Sequence, residues 1–331
     1  MALGIVGVGT IPAEKMKGLQ RCPMCAARRW QVVVEISRQK DPTLLALSAS
    51  GTARISRCQG CGLMMTDPFP EVEQIPLFYP ADSYPCYLEG KNSGEFKRII
   101  QRWVVHSAAL VGWNPLKKLW KLLLLPVRRR VGGIPQARII GSVLDAGCGD
   151  GTFLELLKEA GWQVEGFEMS PEAAEAARRR GLRVQTGTME SIDFPQGRFA
   201  AIRLWHVLEH LADPLAALKK MKGWLRPGGE LIIGIPNVAS FYARAFGPRW
   251  SAWEVPRHLY HFTPQTIRQL LEKSGFDSIR VDHCSVGTGV SSLGENFSRL
   301  FWLRVLGLLG DIVLDGLKVG DSLEVRATRP S

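Results

Sequence analysis

The chain has 331 residues, 46% of them hydrophobic, and Lys plus Arg outnumber Asp plus Glu by 42 to 31, a formal net charge of +11. That length is long for one domain and comfortable for two, with a sizeable buried core, and the basic balance favours anionic partners such as nucleic acid, phosphorylated substrates or acidic membranes. Seven cysteines, four of them in two close pairs, fit a reducing compartment and a metal site rather than a disulfide framework. No apolar run reaches the roughly 18 uninterrupted residues of a spanning helix. Met1 to Thr10 is apolar without a basic leader, so no secretory signal is expected and a cytoplasmic location is.

In chain order, Cys22-Pro23-Met24-Cys25 and Cys58-Gln59-Gly60-Cys61 come first, two C-x2-C knuckles. Each presents two thiolates, and Cys22, Cys25, Cys58 and Cys61 together close a tetrahedral zinc site with no position left for water, so the ion is structural. Trp30–Ile36 and Ala53–Arg57 have strand composition, which makes residues 18–66 a small zinc ribbon whose folding depends on the metal. Residues 67–134 form a connector. It begins Pro- and aromatic-rich through Tyr79 and Tyr84 and continues as a basic amphipathic pattern over Glu95–Arg130. There Trp103 and Trp120 lie among Lys117, Lys118, Lys121 and Arg128–Arg130, a pattern that suits either a helical cover over the following domain or peripheral contact with an anionic inner-membrane surface.

The run Val143-Leu144-Asp145-Ala146-Gly147-Cys148-Gly149-Asp150-Gly151 predicts a buried strand entering a glycine loop, with a helix over Thr152–Ala160. Its spacing is G-x-G-x-G, not the G-x-G-x-x-G of a pyrophosphate loop, and Asp145 at the strand end suits a cationic group. S-adenosylmethionine, with ammonium and sulfonium both positive, is such a ligand. Leu144–Gly151 resembles the first motif of class I S-adenosylmethionine-dependent methyltransferases, and the resemblance covers most of the chain. It implies an α/β, Rossmann-like, seven-stranded and mostly parallel sheet with an antiparallel last strand over 135–331, including a helical insertion at 288–320. It also implies cofactor contacts from Asp145, Ala146, Gly147, Cys148, Gly149 and Gly151.

Glu168 ends the next strand, Gln163–Glu168, where a carboxylate accepts two ribose hydroxyls; Met169 lies against the adenine face. The family commonly carries Asp where Thr188 stands, which leaves the adenine contact to Thr188 with Met189 or Glu190. Phe199–Trp205 reads as the fourth strand, and His206-Val207-Leu208-Glu209-His210 after it resembles the post-strand motif that places Trp205 and His206 beside the cofactor. Leu225–Glu230 is a turn into the strand Leu231–Asn237. Phe276–Asp282 and Ser322–Thr328 are the last two strands, with the apolar run Leu300–Leu309 between them.

Trp253–Thr263 is the most polar-aromatic stretch, with Thr263 capping a helix over Gln265–Ser274. A neutral histidine just ahead of the cap suits proton removal from a hydroxyl, with Tyr260 and His261 as alternates to His258. The resemblance to sugar C-methyltransferases that carry an amino-terminal four-cysteine module implies His258 as base, and His210 and Tyr260 are expected to position the acceptor. Those enzymes show Tyr-x-Glu-His where this chain has Val255-Pro256-Arg257-His258, so hydroxyl methylation fits as well as methylation of an activated carbon. The expected function is methyl transfer from S-adenosylmethionine to a small molecule: a sugar, glycolipid or lipid-linked intermediate. Nucleic-acid methylation and a non-catalytic cofactor-binding assembly protein are the alternatives.

Overall fold

Short aliphatic runs separated by amphipathic helices hide both faces of a sheet when the strands run parallel and the helices cover either side. The computed structural model of the chain has this arrangement. It describes residues 19–37, 51–70, 75, 78, 79, 99, 101–106, 131–136, 141–286, 288, 292 and 301–331, without the side chains of 301–306, 308 and 309.

Three strands lie in the amino-terminal part: β1 (Trp30–Ser37), β2 (Thr52–Cys58) and β3 (Met64–Asp67). The larger sheet holds β4 (Ser142–Ala146), β5 (Gln163–Glu168), β6 (Arg183–Thr186), β7 (Phe199–Trp205), β8 (Leu225–Pro236), β10 (Asp277–Cys284) and β11 (Ser322–Thr328), and β9 (Tyr260–His261) lies outside it. Its order is β10-β11-β8-β7-β4-β5-β6. β4 pairs in parallel with β5 and β7, β5 with β6 and β7 with β8, whereas β11 runs antiparallel to both β8 and β10. The seven-stranded, mostly parallel sheet with an antiparallel last strand is thus present. Leu144, Ile202, Leu204, Leu231, Ile233, Leu323 and Val325 are its buried centre.

The helices are α1 (Thr152–Glu159), α2 (Pro171–Arg179), α3 (Pro214–Trp224), α4 (Phe241–Phe246), α5 (Pro264–Lys273) and α6 (Phe301–Gly316). Their starts follow capping chemistry. Ser170 Oγ accepts from Ala173 N ahead of α2, Asp213 accepts from Ala216 N ahead of α3, and Thr263 forms a reciprocal capping box with Thr266 at α5. The predicted turn Leu225–Glu230 is continuous with β8 instead. Leu225 pairs with Phe199 and Glu230 with Ala201, and the extra residues between them form an irregularity inside the strand.

The amino-terminal ribbon does not stand apart. β1 pairs with β2 and β2 with β3, and β3 pairs with β9 through Met64 with His261 and Met65 with Tyr260, giving a four-stranded antiparallel sheet that takes its last strand from the catalytic half. Cys22, Met24, Leu63 and Met65 pack in the same core cluster as Leu259, Tyr260 and Phe262. Neither β3 nor β9 is evident from sequence, because each is short and their pairing is remote.

Among the described side chains of α6, carboxylates face inward and aliphatic groups outward. Asp311 and Asp315 are buried against Tyr242 and Ser285, while Ile312, Val313 and Leu317, the last just beyond its end, face outward. Most of the basic stretch expected over Glu95–Arg130, with Tyr84, lies outside the described residues; 101–106 are helical. Among the described residues no helix is long and apolar enough to cross a membrane.

Two glycines of the loop after β4 separate backbone need from packing need. Gly151 has φ +76°, and a Cβ there would lie 2.5 Å from Leu182 Cδ1 and 2.8 Å from Ala177 Cβ; Gly149 has φ +56° with nothing within 4 Å of such an atom. Gly151→Ala is expected to destabilise the fold by about 1–3 kcal/mol and by more than Gly149→Ala, because only the former adds a clash to the backbone strain. Thermal or denaturant unfolding of both variants measures the order, and the reverse order would contradict this packing.

Candidate functional site

The glycine loop is fixed from below and open above. Gly147 N and Cys148 N donate to Phe167 O at 2.9 and 3.1 Å, tying the loop to β5, and a Cβ on Gly147 would lie 2.6 Å from Val207. Ala146 and Cys148 are buried beneath it. Glu168, at the end of β5, clasps the loop: Oε2 accepts from Gly149 N and Oε1 from Ser170 N, both at 3.0 Å. Burial pushes its carboxyl up while these backbone hydrogen bonds pull the other way. The clear space above Gly149, with Glu168 at its margin, is the cradle that a nucleoside needs. Met169 is half-buried beside it, Met189 is buried, and Thr188 is exposed with its amide donating to Ser191 Oγ at 2.9 Å. S-adenosylmethionine supplies an electrophilic methyl group when bound, and the residues present fit it here.

Asp145 sits differently from its expected role as the partner of a cationic ligand. It is 1% exposed, and Arg203 on the neighbouring strand donates to both of its carboxylate oxygens, at 2.9 and 3.1 Å. Burial pushes the Asp145 carboxyl up, and the charge and hydrogen bonds of Arg203 oppose that shift. The charge of Asp145 is therefore balanced by protein before any ligand arrives. The Arg203 guanidinium also lies 3.9 Å from the Phe153 ring centroid and 5.1 Å from that of Trp205. Gly132 and Gly133 pack on Trp205 and Arg203 with no room for a side chain, so 131–136 closes over this face. Sequence reasoning missed Arg203. Its signal is a lone charge in the otherwise apolar run Phe199–Trp205, opposite Asp145 in the β4–β7 pairing.

Beyond β7 the chain passes through His206, which has φ +55°, into a 3-10 turn over Leu208–His210. His206 Nδ1 donates to Glu209 Oε1 at 3.2 Å. His258 Nδ1 donates to Ala252 O at 2.9 Å, which leaves Nε2 facing Glu254 Oε2 at 3.3 Å and Glu209 Oε1 at 4.0 Å. The rings of His210 and His258 meet edge to face at 4.6 Å between centroids. His210 Nδ1 donates to Arg257 O at 3.1 Å, with Tyr79 Oη 2.7 Å from the same nitrogen. Burial and the neighbouring His258 push His210 down to about 4, so it is neutral near pH 7. Burial favours a neutral Glu209, but the His206 hydrogen bond and the surrounding histidines hold it ionised, at about 2. On His206 burial is likewise outweighed by Glu209, and the imidazole is raised. Glu254, at φ +39°, adds a second left-handed non-glycine residue to the cluster.

The structure thus brings His206, His210 and His258 together but not Tyr260. As part of β9, Tyr260 is buried, its hydroxyl donates to Ala212 O at 2.9 Å, and its ring packs on Phe262 and Phe69. His261 is held the same way. Thr66 Oγ1 donates to His258 O at 2.6 Å, so at 2.9 Å it accepts from His261 Nε2. In the ribbon, Cys22 and Cys61 sulfurs lie 3.5 Å apart, as do those of Cys25 and Cys58, and all four lie within 4.8 Å of one another. Tetrahedral zinc with bonds of about 2.3 Å wants sulfurs about 3.8 Å apart, so the cysteines fit the ion.

The Asp145–Arg203 pair generates a direct expectation. Arg203→Met strands a buried carboxylate and should cost about 3–5 kcal/mol, and the double variant Arg203→Met with Asp145→Asn should recover a large part of that loss. Denaturant unfolding of the two singles and the double closes the cycle; additive losses would contradict a pair.

A model of the methyltransferase domain family matches residues 115–281, half of the chain. The ubiquinone biosynthesis O-methyltransferase of Xanthomonas campestris pv. campestris is 33% identical over 159 residues, 45% of this chain and 64% of that protein, so the match spans less than two thirds of the relative. An uncharacterized 37.1 kDa protein in transposon TN4556 of Streptomyces fradiae is 38% identical over 104 residues, 29% of this chain and 30% of that one. Among solved structures, a Thermotoga maritima S-adenosylmethionine-dependent methyltransferase, described as a possible histamine N-methyltransferase, is 21% identical with a TM-score of 0.45, covering 74% of this chain and 98% of that one. The family match falls on the glycine loop, Glu168 and the turn after β7, and the chain belongs to the methyltransferase domain family.

Proposed function

We propose that the protein transfers the methyl group to a hydroxyl of a small molecule, a sugar, glycolipid or lipid-linked intermediate, and that the acceptor is activated at the cluster of His206, Glu209, His210 and His258. One observation carries the reading. His258 keeps Nδ1 on a backbone carbonyl and turns Nε2 towards Glu209, in the turn that follows β7, with its ring against that of His210. A fixed imidazole nitrogen beside the methyl donor is what a weakly acidic hydroxyl needs, since in-line displacement asks the protein for alignment and loss of one proton. The Xanthomonas campestris relative is named an O-methyltransferase, which supports oxygen over carbon as the acceptor atom. We also propose that Asp145 acts through the loop it anchors, that Gly147–Gly151, Glu168, Met169, Thr188, Met189, Trp205 and His206 line the cofactor, and that Cys22, Cys25, Cys58 and Cys61 hold a structural zinc.

Incubating cell extract with the protein and methyl-labelled S-adenosylmethionine, then fractionating lipids, sugar nucleotides and nucleic acids, tests the acceptor class. Label is expected in a small hydroxyl-bearing product. His258→Gln should lower its formation by about 10²–10⁴-fold while S-adenosylhomocysteine still binds. Label confined to nucleic acid, or full activity in His258→Gln, would contradict the proposal.

A further inference from the structure

Glu209 is an expensive residue to hold where it stands. Its side chain is 1% exposed; Oε1 is engaged by His206, and Oε2 is buried without a hydrogen-bond partner among the described residues. A buried carboxylate oxygen without a partner is costly unless a positive group meets it. His258 donates Nδ1–H to Ala252 O, and His210 Nδ1 lies between Arg257 O at 3.1 Å and Tyr79 Oη at 2.7 Å, so each ring is held through Nδ1. Histidines oriented by a backbone carbonyl through one nitrogen and left open at the other have the arrangement found behind metal ligands.

One ligand atom from each of Glu209, His210 and His258 lies within 4.8 Å of the other two, well apart from the four cysteines of the ribbon in the chain. Glu254 Oε2, 3.3 Å from His258 Nε2, adds negative potential to the same space, its other oxygen being held by Arg257 Nε at 2.9 Å. Imidazole nitrogens and carboxylate oxygens gathered this closely are stable around a cation.

We propose that Glu209, His210 and His258 bind a divalent transition-metal ion that activates the acceptor hydroxyl. Two imidazoles and one carboxylate are a donor set for ions of the zinc, cobalt and nickel kind, and three protein ligands leave a position open for the acceptor. An oxygen at that position gives up its proton to solvent water more readily, the O–H electron pair staying on oxygen under the charge of the ion. That pair forms the new C–O bond as the C–S bond breaks and its electrons return to sulfur. His258 then works by holding the ion. The catalytic part of this inference rests on the proposed acceptor site; the binding of metal does not.

The two are separated by titrating cobalt(II) into the zinc-loaded protein and following its visible spectrum, with methyl transfer measured on the same samples. The expected result is one saturable equivalent with the weak d–d bands of a nitrogen and oxygen site, bound about tenfold or more weakly by His258→Gln and by His210→Gln. S-adenosylhomocysteine binding by both variants verifies that they are folded. Cobalt–thiolate charge-transfer bands alone, meaning that cobalt enters the four-cysteine site only, would overturn the inference. So would no saturable binding, or binding of equal strength in both variants. Cobalt bound as expected with no transfer to any hydroxyl would instead leave the metal site standing and remove the proposed function.

Discussion

One threonine hydroxyl holds the two halves of this protein in register. Thr66 Oγ1, on the last strand of the ribbon, donates to His258 O and accepts from His261 Nε2, while Thr66 N donates to Leu259 O at 3.0 Å. Each of these groups is buried, so none has water as an alternative partner. The backbone carrying His258 is therefore positioned by the ribbon on one side and by Leu259 N donating to Glu209 O at 2.9 Å on the other. A metal that folds the ribbon would thereby act on the loop that carries His258 without touching it. Lys273 of α5 reinforces the join by donating to Met24 O between the first two cysteines.

The same economy governs charge. Three acidic side chains are buried and a fourth, Glu254, is half-buried around the glycine loop and the turn after β7, and each has a different remedy. Asp145 takes Arg203, Glu168 takes two backbone amides, Glu254 takes Arg257 and His258, and Glu209 takes His206 on one oxygen only. Backbone amides that hold Glu168 leave its remaining lone pairs free for hydroxyl groups, which is what a ribose-binding carboxylate requires. Arg203 gives Asp145 a structural partner, so the loop keeps its shape whether or not a cofactor is bound. Among the described residues Glu209 alone of the four has an oxygen with no hydrogen-bond partner, and it stands just past the end of the strand where the acceptor is expected.

Much of this was legible in the amino acids. The run into Asp145, the glycine spacing, Glu168 and the alternation of strand and helix depend on local pattern, and they reappear as β4, its loop, β5 and the parallel sheet. The paired cysteines announced their cluster for the same reason. What sequence withheld were contacts between distant segments. Tyr260 looked free to meet an acceptor because nothing near it in the chain shows that Met65 will pair with it or that Ala212 O will take its hydroxyl. Asp145 looked like half of a ligand contact because its partner lies 58 residues away on β7. His258 was picked out from its place before a helix cap, yet the Ala252 carbonyl that fixes its tautomer and the carboxylates around Nε2 emerge only in three dimensions.

The dependence of the catalytic loop on the ribbon is tested most directly by hydrogen exchange in Thr66→Val, which keeps the shape of the side chain and removes its hydroxyl. Losing a buried donor and acceptor costs about 1–3 kcal/mol, so amides across 257–263 are expected to exchange about tenfold or more faster. The central strands Ser142–Ala146 and Phe199–Trp205 should keep their protection, and methyl transfer should fall while S-adenosylhomocysteine still binds. Unchanged exchange across 257–263 in the variant would contradict a catalytic loop held in place by the ribbon.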